Sequence, residues 1–165
     1  MEAQIERIIQ KMKRNNIQKN KALSMKDIKC FEQSANIKLP KELVLFYTEV
    51  CNGCKMLDGF NLLRMDEWIF NADNLRRDFP FERYWIWEDE CDHVNKGLKD
   101  IENGNLLLID IGDAQSWHII VQGKERGKMW FFTDVGIQPC APAMNFLEWF
   151  EFWLDGHDDY FYEFK

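Results

Sequence analysis

The chain has 165 residues, 46% of them hydrophobic and 15% aromatic, with thirteen Phe and seven Trp. That composition excludes a disordered chain, and the length suits one domain, 1–165, with a real core. The net charge of −7 is unevenly spread: residues 1–41 hold ten Lys/Arg against four Asp/Glu, and residues 42–165 hold eleven against twenty-four.

An acidic body repels nucleic-acid backbones and favours basic protein partners, so direct nucleic-acid binding is not expected. Cys30, Cys51, Cys54, Cys91 and Cys140 make an odd count with no leader-like segment before them. Reduced thiols and a cytoplasmic location are therefore expected. No run approaches the roughly 18 apolar residues of a membrane span, so no membrane partner is expected.

Glu2 to Lys13 reads as a helix, with Ile5, Ile8, Ile9 and Met12 on one stripe. Asn15 to Lys21 is polar loop. Ser24 caps a second helix, with Asp27 three residues on as a capping box, and Ile28, Phe31 and Ala35 face inward. Leu39 to Gly53, LPKELVLFYTEVCNG, is the stretch around which the chain is organised. Pro40 suits a first helical turn, and Leu43, Phe46, Tyr47 and Val50 recur on one face. Asn52-Gly53 stops the helix, because both tolerate left-handed backbone.

Met56 to Leu63 is expected to be a first strand. Asp66 is expected to cap a helix carrying Trp68, Ala72, Leu75 and Phe79 inward, ended by Pro80. Glu88-Asp89-Glu90 opens a further helix to about Ile101, acidic residues suiting the positive end of its dipole. Asn105 to Ile111, NLLLIDI, reads as a central strand from its continuous apolar character. Ser116 to Val121, Lys128 to Thr133 and Ile137 to Cys140 follow as strands, separated by the turns at Gly112-Asp113, Gly123 to Gly127 and Asp134 to Gly136. Connections this short require antiparallel pairing. Pro142 starts a closing helix to Leu154, and an acidic, aromatic tail fills 156–165. The order predicts an α+β fold: an antiparallel meander flanked by N-terminal helices and a closing C-terminal helix.

Three segments carry a family resemblance. Leu39-Pro40 with the apolar helix ending in Asn52-Gly53 resembles the LP…NG signature of the SMI1/KNR4 family, also called the SUKH superfamily. Leu106 to Asp113 with Trp117 to Val121 resembles its paired strands around a Gly/Asp turn. Ala141 to Trp153, APAMNFLEWFEFW, is similar to its closing helix. The likeness runs from about Ser24 to Asp155. It departs from the family in a turn at Gly112 to Ser116 with few glycines, in Ala143-Met144-Asn145 where Ser-Phe is common, and in a longer 79–101 segment. The resemblance implies an immunity protein that binds and neutralises a cognate polymorphic or contact-dependent bacterial toxin, with a basic nuclease domain as the expected partner. The alternative it implies is an interaction hub with a regulatory role. A small-molecule binder or enzyme is a third reading.

An inhibitor that fills a basic groove should be acidic, so that attraction speeds encounter and salt weakens it. The densest acidic stretch is Glu88, Asp89, Glu90 and Asp92, beside Trp85 and Trp87. Asp66, Glu67, Asp113 and Asp134 extend the candidate surface. The plainer reading of the same residues is a solvated helix start, helix caps and turn residues around core tryptophans. Cys51-Asn52-Gly53-Cys54 has redox or zinc spacing, but a structural zinc needs a second ligand pair, and only Cys91 and His93 offer themselves. His118 next to Trp117 would need an orienting group and an oxyanion hole to serve a nucleophile. No phosphate loop, HExxH or GxSxG is present. The sequence therefore predicts no catalytic residues, no metal and no cofactor.

Overall fold

The computed structural model describes residues 1–86 and 97–157. Helix α1 (Glu2–Arg14) forms where the apolar stripe places it, burying Ile5, Ile8 and Met12. Helix α2 (Met25–Ala35) starts at Ser24, whose side chain accepts from Asp27 N–H while the Asp27 carboxylate accepts from Ser24 N–H. That reciprocal box satisfies two end donors at once, a device worth about 1 kcal/mol.

The Leu39 to Gly53 stretch is helical but not regular. Pro40 stands at the N-cap of α3 (Lys41–Leu45), which widens into a π turn over Phe46–Val50. Cys51 N–H reaches Phe46 O, five residues back, at 3.1 Å. Widening frees carbonyls from the helix, and outside donors take them up. Leu23 N–H donates to Tyr47 O at 2.8 Å and Lys19 Nζ to Val50 O at 3.1 Å. Leu43, Phe46, Tyr47 and Val50 are all buried as their spacing predicts. Asn52-Gly53 does more than stop the helix. Asn52 Oδ1 accepts from Met65 N–H, and Gly53, at φ +78°, lets the backbone of Leu62 to Arg64 lie against it.

Two expectations fail in the next segment. Met56 to Leu63 is not one strand but a hairpin of β1 (Cys54–Lys55) and β2 (Asn61–Leu62). Leu57-Asp58-Gly59 turns between them, with Met56 and Phe60 bonded across its neck at 2.8 Å. Asp66 does not cap a long helix either. Met65–Glu67 is a single 3₁₀ turn, residues 68–71 are irregular, and α4 (Ala72–Arg76) is only five residues long, capped by Asn71. Local caps at both places, Glu67 on Arg64 N–H and Asn71 on Asp73 N–H, outcompete the longer helical period. Trp68, Leu75 and Phe79 are buried regardless.

The main sheet is antiparallel throughout, in the order β3 (Trp85–Ile86), β7 (Gly136–Pro139), β6 (Met129–Phe132), β5 (Gln115–Ile120), β4 (Asn105–Gly112). The last four strands form the expected meander, and β3 returns to its far edge. Strand β4 is thus an edge strand of this sheet, not a central one. Its apolar run is buried because a bulge after Leu107 turns both Leu108 and Ile109 into the core, and because Leu63 N–H donates to Leu108 O at 2.9 Å along its outer side.

The closing helix α5 (Phe146–Leu154) begins later than Pro142, because Asn145 and Glu148 form its capping box. It lies with α1 and the π turn on one face of the sheet, over Trp117, Ile119 and Phe131. Rings meet edge-on there, Phe46 against Phe146 at 5.0 Å and against Phe150 at 4.6 Å. The other face carries a smaller cluster of Phe79, Ile120, Trp130, Phe132 and Ile137. Among the described residues no helix is long and apolar enough to cross a membrane.

Candidate functional site

The second face of the sheet is not fully covered. Side chains alternate along β4 and β5, so Asn105, Leu107 and Asp110 share that face with Ser116, His118 and Ile120. Beside them the irregular 68–71 segment and α4 stand off from the strands, leaving a cavity of about 710 Å³. Leu107, Phe132, Ile101 and Leu75 give it apolar walls, and Glu67, Glu102 and Asp110 bring carboxylates to it. No Lys or Arg is among the described residues that line it. At its lip Ile69 is 91% exposed, an unusual position for isoleucine, and Phe70 is 37% exposed.

His118 is held from three sides. Asn105 Nδ2 donates to Ile101 O at 2.9 Å and to Asn103 O at 3.0 Å, which fixes Asn105 Oδ1 as the acceptor for His118 Nδ1–H at 2.7 Å. The neutral ring then offers Nε2 as acceptor to the Ser116 hydroxyl at 2.9 Å. The ring stacks on Phe132 with centroids 3.9 Å apart. Part of its surface opens on the cavity, yet the protein packed around it desolvates the ring and pushes its pKa down to about 3.

Hydroxyl, imidazole and amide in a row have the order of a nucleophilic relay. The orienting group that the sequence did not mark is therefore present in Asn105. The other requirements fail. An imidazole that stays neutral to about pH 3 is a weak base, and its Nδ1 partner is a neutral amide that gives an imidazolium no countercharge. Strand β5 is paired on both sides, so its N–H groups are committed to the sheet and not free for an oxyanion. The row ties β5, β4 and the 101–105 turn together.

Cys51 and Cys54 lie apart from His118. Both are buried free thiols, and Cys54 borders a second, polar recess of about 400 Å³ with Lys19, Lys55 and Arg64. The neighbouring Cys51 thiol and burial hold Cys54 far above the ordinary thiol range, which makes it a poor nucleophile and ligand.

Among the described residues, the predicted acids Asp66, Glu67, Asp113 and Asp134 occupy the 3₁₀ turn before α4 and two turns of the main sheet. Asp66 pairs with Arg64 Nη2 at 2.9 Å, and Glu67 accepts from Arg64 N–H while lining the cavity. Asp113 lies in the β4–β5 turn at φ +49°, and Asp134 lies in the β6–β7 turn. Both turns fall at the same end of the sheet, because β6 runs in the direction of β4. Trp85 lies on the opposite edge from β4, stacked on Phe81 at 5.0 Å in the smaller cluster. Trp87, Glu88, Asp89, Glu90 and Asp92 lie outside the described residues, as do Cys91 and His93.

Sequence reasoning missed Ile69, Phe70, Glu102, Leu107 and Asp110. Ile69 and Phe70 were hidden by the helix expected across them. The alternation in Leu107 to Asp110 was legible in principle, but the bulge obscured it.

No curated protein and no solved structure matches the chain. A family model does match, over residues 22–152, and it is that of SMI1 / KNR4 (SUKH-1). The match takes in the LP…NG stretch, the meander and nearly all of the closing helix, so the chain belongs to the SMI1/KNR4 family (SUKH-1).

Proposed function

We propose that this protein is an immunity-type inhibitor that binds a basic toxin domain, of the nuclease kind, and neutralises it by direct contact in the cytoplasm, without chemistry of its own. The observation that carries the reading is the cavity on β4 and β5. Glu102 and Asp110 make no ion pair among the described residues, and Ile69 projects beside them into solvent. An exposed apolar side chain next to unpaired carboxylates suits a partner that brings both an apolar contact and positive charge. Asp113 and Asp134, at one end of the same sheet, and the acidic excess of residues 42–165 add a longer-range attraction. Family membership directs the choice of partner towards a toxin.

The test is titration calorimetry of the whole chain against a basic toxin domain encoded in a neighbouring reading frame, at low and high salt. Tight binding that weakens with salt is expected, and Ile69→Asp should weaken it at least tenfold, as removal of a central anchor does. Absence of binding at both salts refutes the reading. Binding untouched by Ile69→Asp and by salt moves the interface off this groove.

A further inference from the structure

The cavity is selective about what it can take, on the reading above that it is a docking surface. Its described lining bears three carboxylates and no cation, and the imidazole of His118 stays neutral at physiological pH, so nothing there repels positive charge. Its walls are aliphatic and aromatic: Leu107, Ile101, Phe70 and Phe132. A lysine ammonium is a compact, strongly hydrated charge and would enter such walls only by losing its water. A guanidinium is flat, more weakly hydrated, stacks on aromatic faces and meets carboxylates with parallel donors.

We propose that the partner anchors itself in this cavity with an arginine side chain, its stem along Leu107 and Phe70 and its guanidinium on a lining carboxylate, Glu102 before the start of β4 or Asp110 near its end. Among the described residues those two acids have only neutral partners. Asn74 Nδ2 donates to Glu102 at 3.0 Å, and Gly112 N–H donates to Asp110 at 2.8 Å. Both carboxylates retain unused acceptor positions. Glu67 is the lesser contributor, because Arg64 Nε already stands 3.6 Å from it.

The probe is N-acetyl-arginine methylamide, titrated into the whole chain and followed by the methyl resonances of Ile69 and Leu107 and the ring resonances of His118. N-acetyl-citrulline methylamide, the neutral isostere, and spermidine, a flexible polyamine, are the comparison arms. Saturable shifts with the arginine probe are expected, at least fivefold weaker with either comparison. The double variant Glu102→Gln/Asp110→Asn keeps both local hydrogen bonds and should lose the response. An equal response to citrulline, an equal response to spermidine, or no saturable shift overturns the proposal. The two readings fail separately. A toxin domain that binds the double variant as tightly as the native chain overturns the arginine anchor and leaves toxin binding in place. A retained arginine response with no toxin bound supports the anchoring chemistry and refutes the toxin.

Discussion

Glu151 of α5 meets two cations of α1, and the acid sensitivity of that contact can be worked out. Arg7 donates to Glu151 through Nε at 2.8 Å and Nη2 at 3.0 Å, a two-point contact, and Lys11 Nζ sits 3.1 Å from Glu151 and 2.6 Å from Asp155. The Arg7 hydrogen bond, followed by Lys11, holds the Glu151 carboxyl down at about 2 against an ordinary 4.5, despite partial burial. A carboxyl whose value is lower in the fold than in the unfolded chain favours folding while it is ionised. That contribution is fully present above about pH 4.5 and is lost as the pH falls through 2. The gap sets an upper limit of about 3 kcal/mol. The Glu151 side chain is 13% exposed but that of Arg7 is 55% exposed, so solvent screening reduces the expected value to about 1–2 kcal/mol. Urea unfolding of native chain and Glu151→Gln at pH 7 and pH 3 measures it. The variant should lose about 1–2 kcal/mol at pH 7 and less than half of that at pH 3, with the pH 7 loss shrinking in high salt. An equal loss at both pH values would falsify the charge argument and assign the effect to packing.

Gly53→Ala places a methyl 2.6 Å from Leu62 O and 2.9 Å from Arg64 N at a φ of +78°. The backbone of β2 must shift, and a loss of about 2–4 kcal/mol, read as a fall in Tm of roughly 5–15 °C by circular dichroism, is expected; an unchanged Tm refutes the close approach. Asn105→Ala strands His118 Nδ1–H and the carbonyls of Ile101 and Asn103, for an expected loss of about 2–3 kcal/mol. In that variant the His118 ring nitrogens should report a mixed tautomer population by NMR, and an unchanged single tautomer would contradict the assigned chain of donors. In the native chain His118 should show no titration between pH 8 and pH 4. Below about pH 6.5 the unfolded chain takes a proton that the folded ring refuses until about pH 3, so this group makes the fold less stable in acid. A ring that titrates near 6.5 would show that it is not desolvated.

What the sequence made legible is what neighbouring residues decide among themselves. Ser24 and Asp27 close their own capping box, the stripe Ile5, Ile8 and Met12 has helical period, and glycine-bearing turns separate β4, β5, β6 and β7. What it concealed depends on distant partners. The π turn persists because Leu23 and Lys19 serve its carbonyls from another part of the chain. The edge position of β4 was masked by the bulge that buries Leu108 and Ile109 together. The cavity joins Ile69, Leu107 and His118, three stretches with no shared periodicity, so its acids could be counted in advance but not grouped.

The widened turn at Phe46–Val50 stores one residue beyond what an ordinary helix of the same rise would need. Deleting one residue within it would let the helix close to its usual winding over about the same rise, and the carbonyl now held by Leu23 N–H would return to the helix ladder. Asn52 would keep its place beside Met65, and the hairpin beginning at Cys54 its footing against the 18–20 loop, to which Lys55 N–H and Asn20 N–H bind it at 2.9 and 3.1 Å. The loss would fall on the segment before α2, which is tied to the helix through that carbonyl, and not on the platform under the groove.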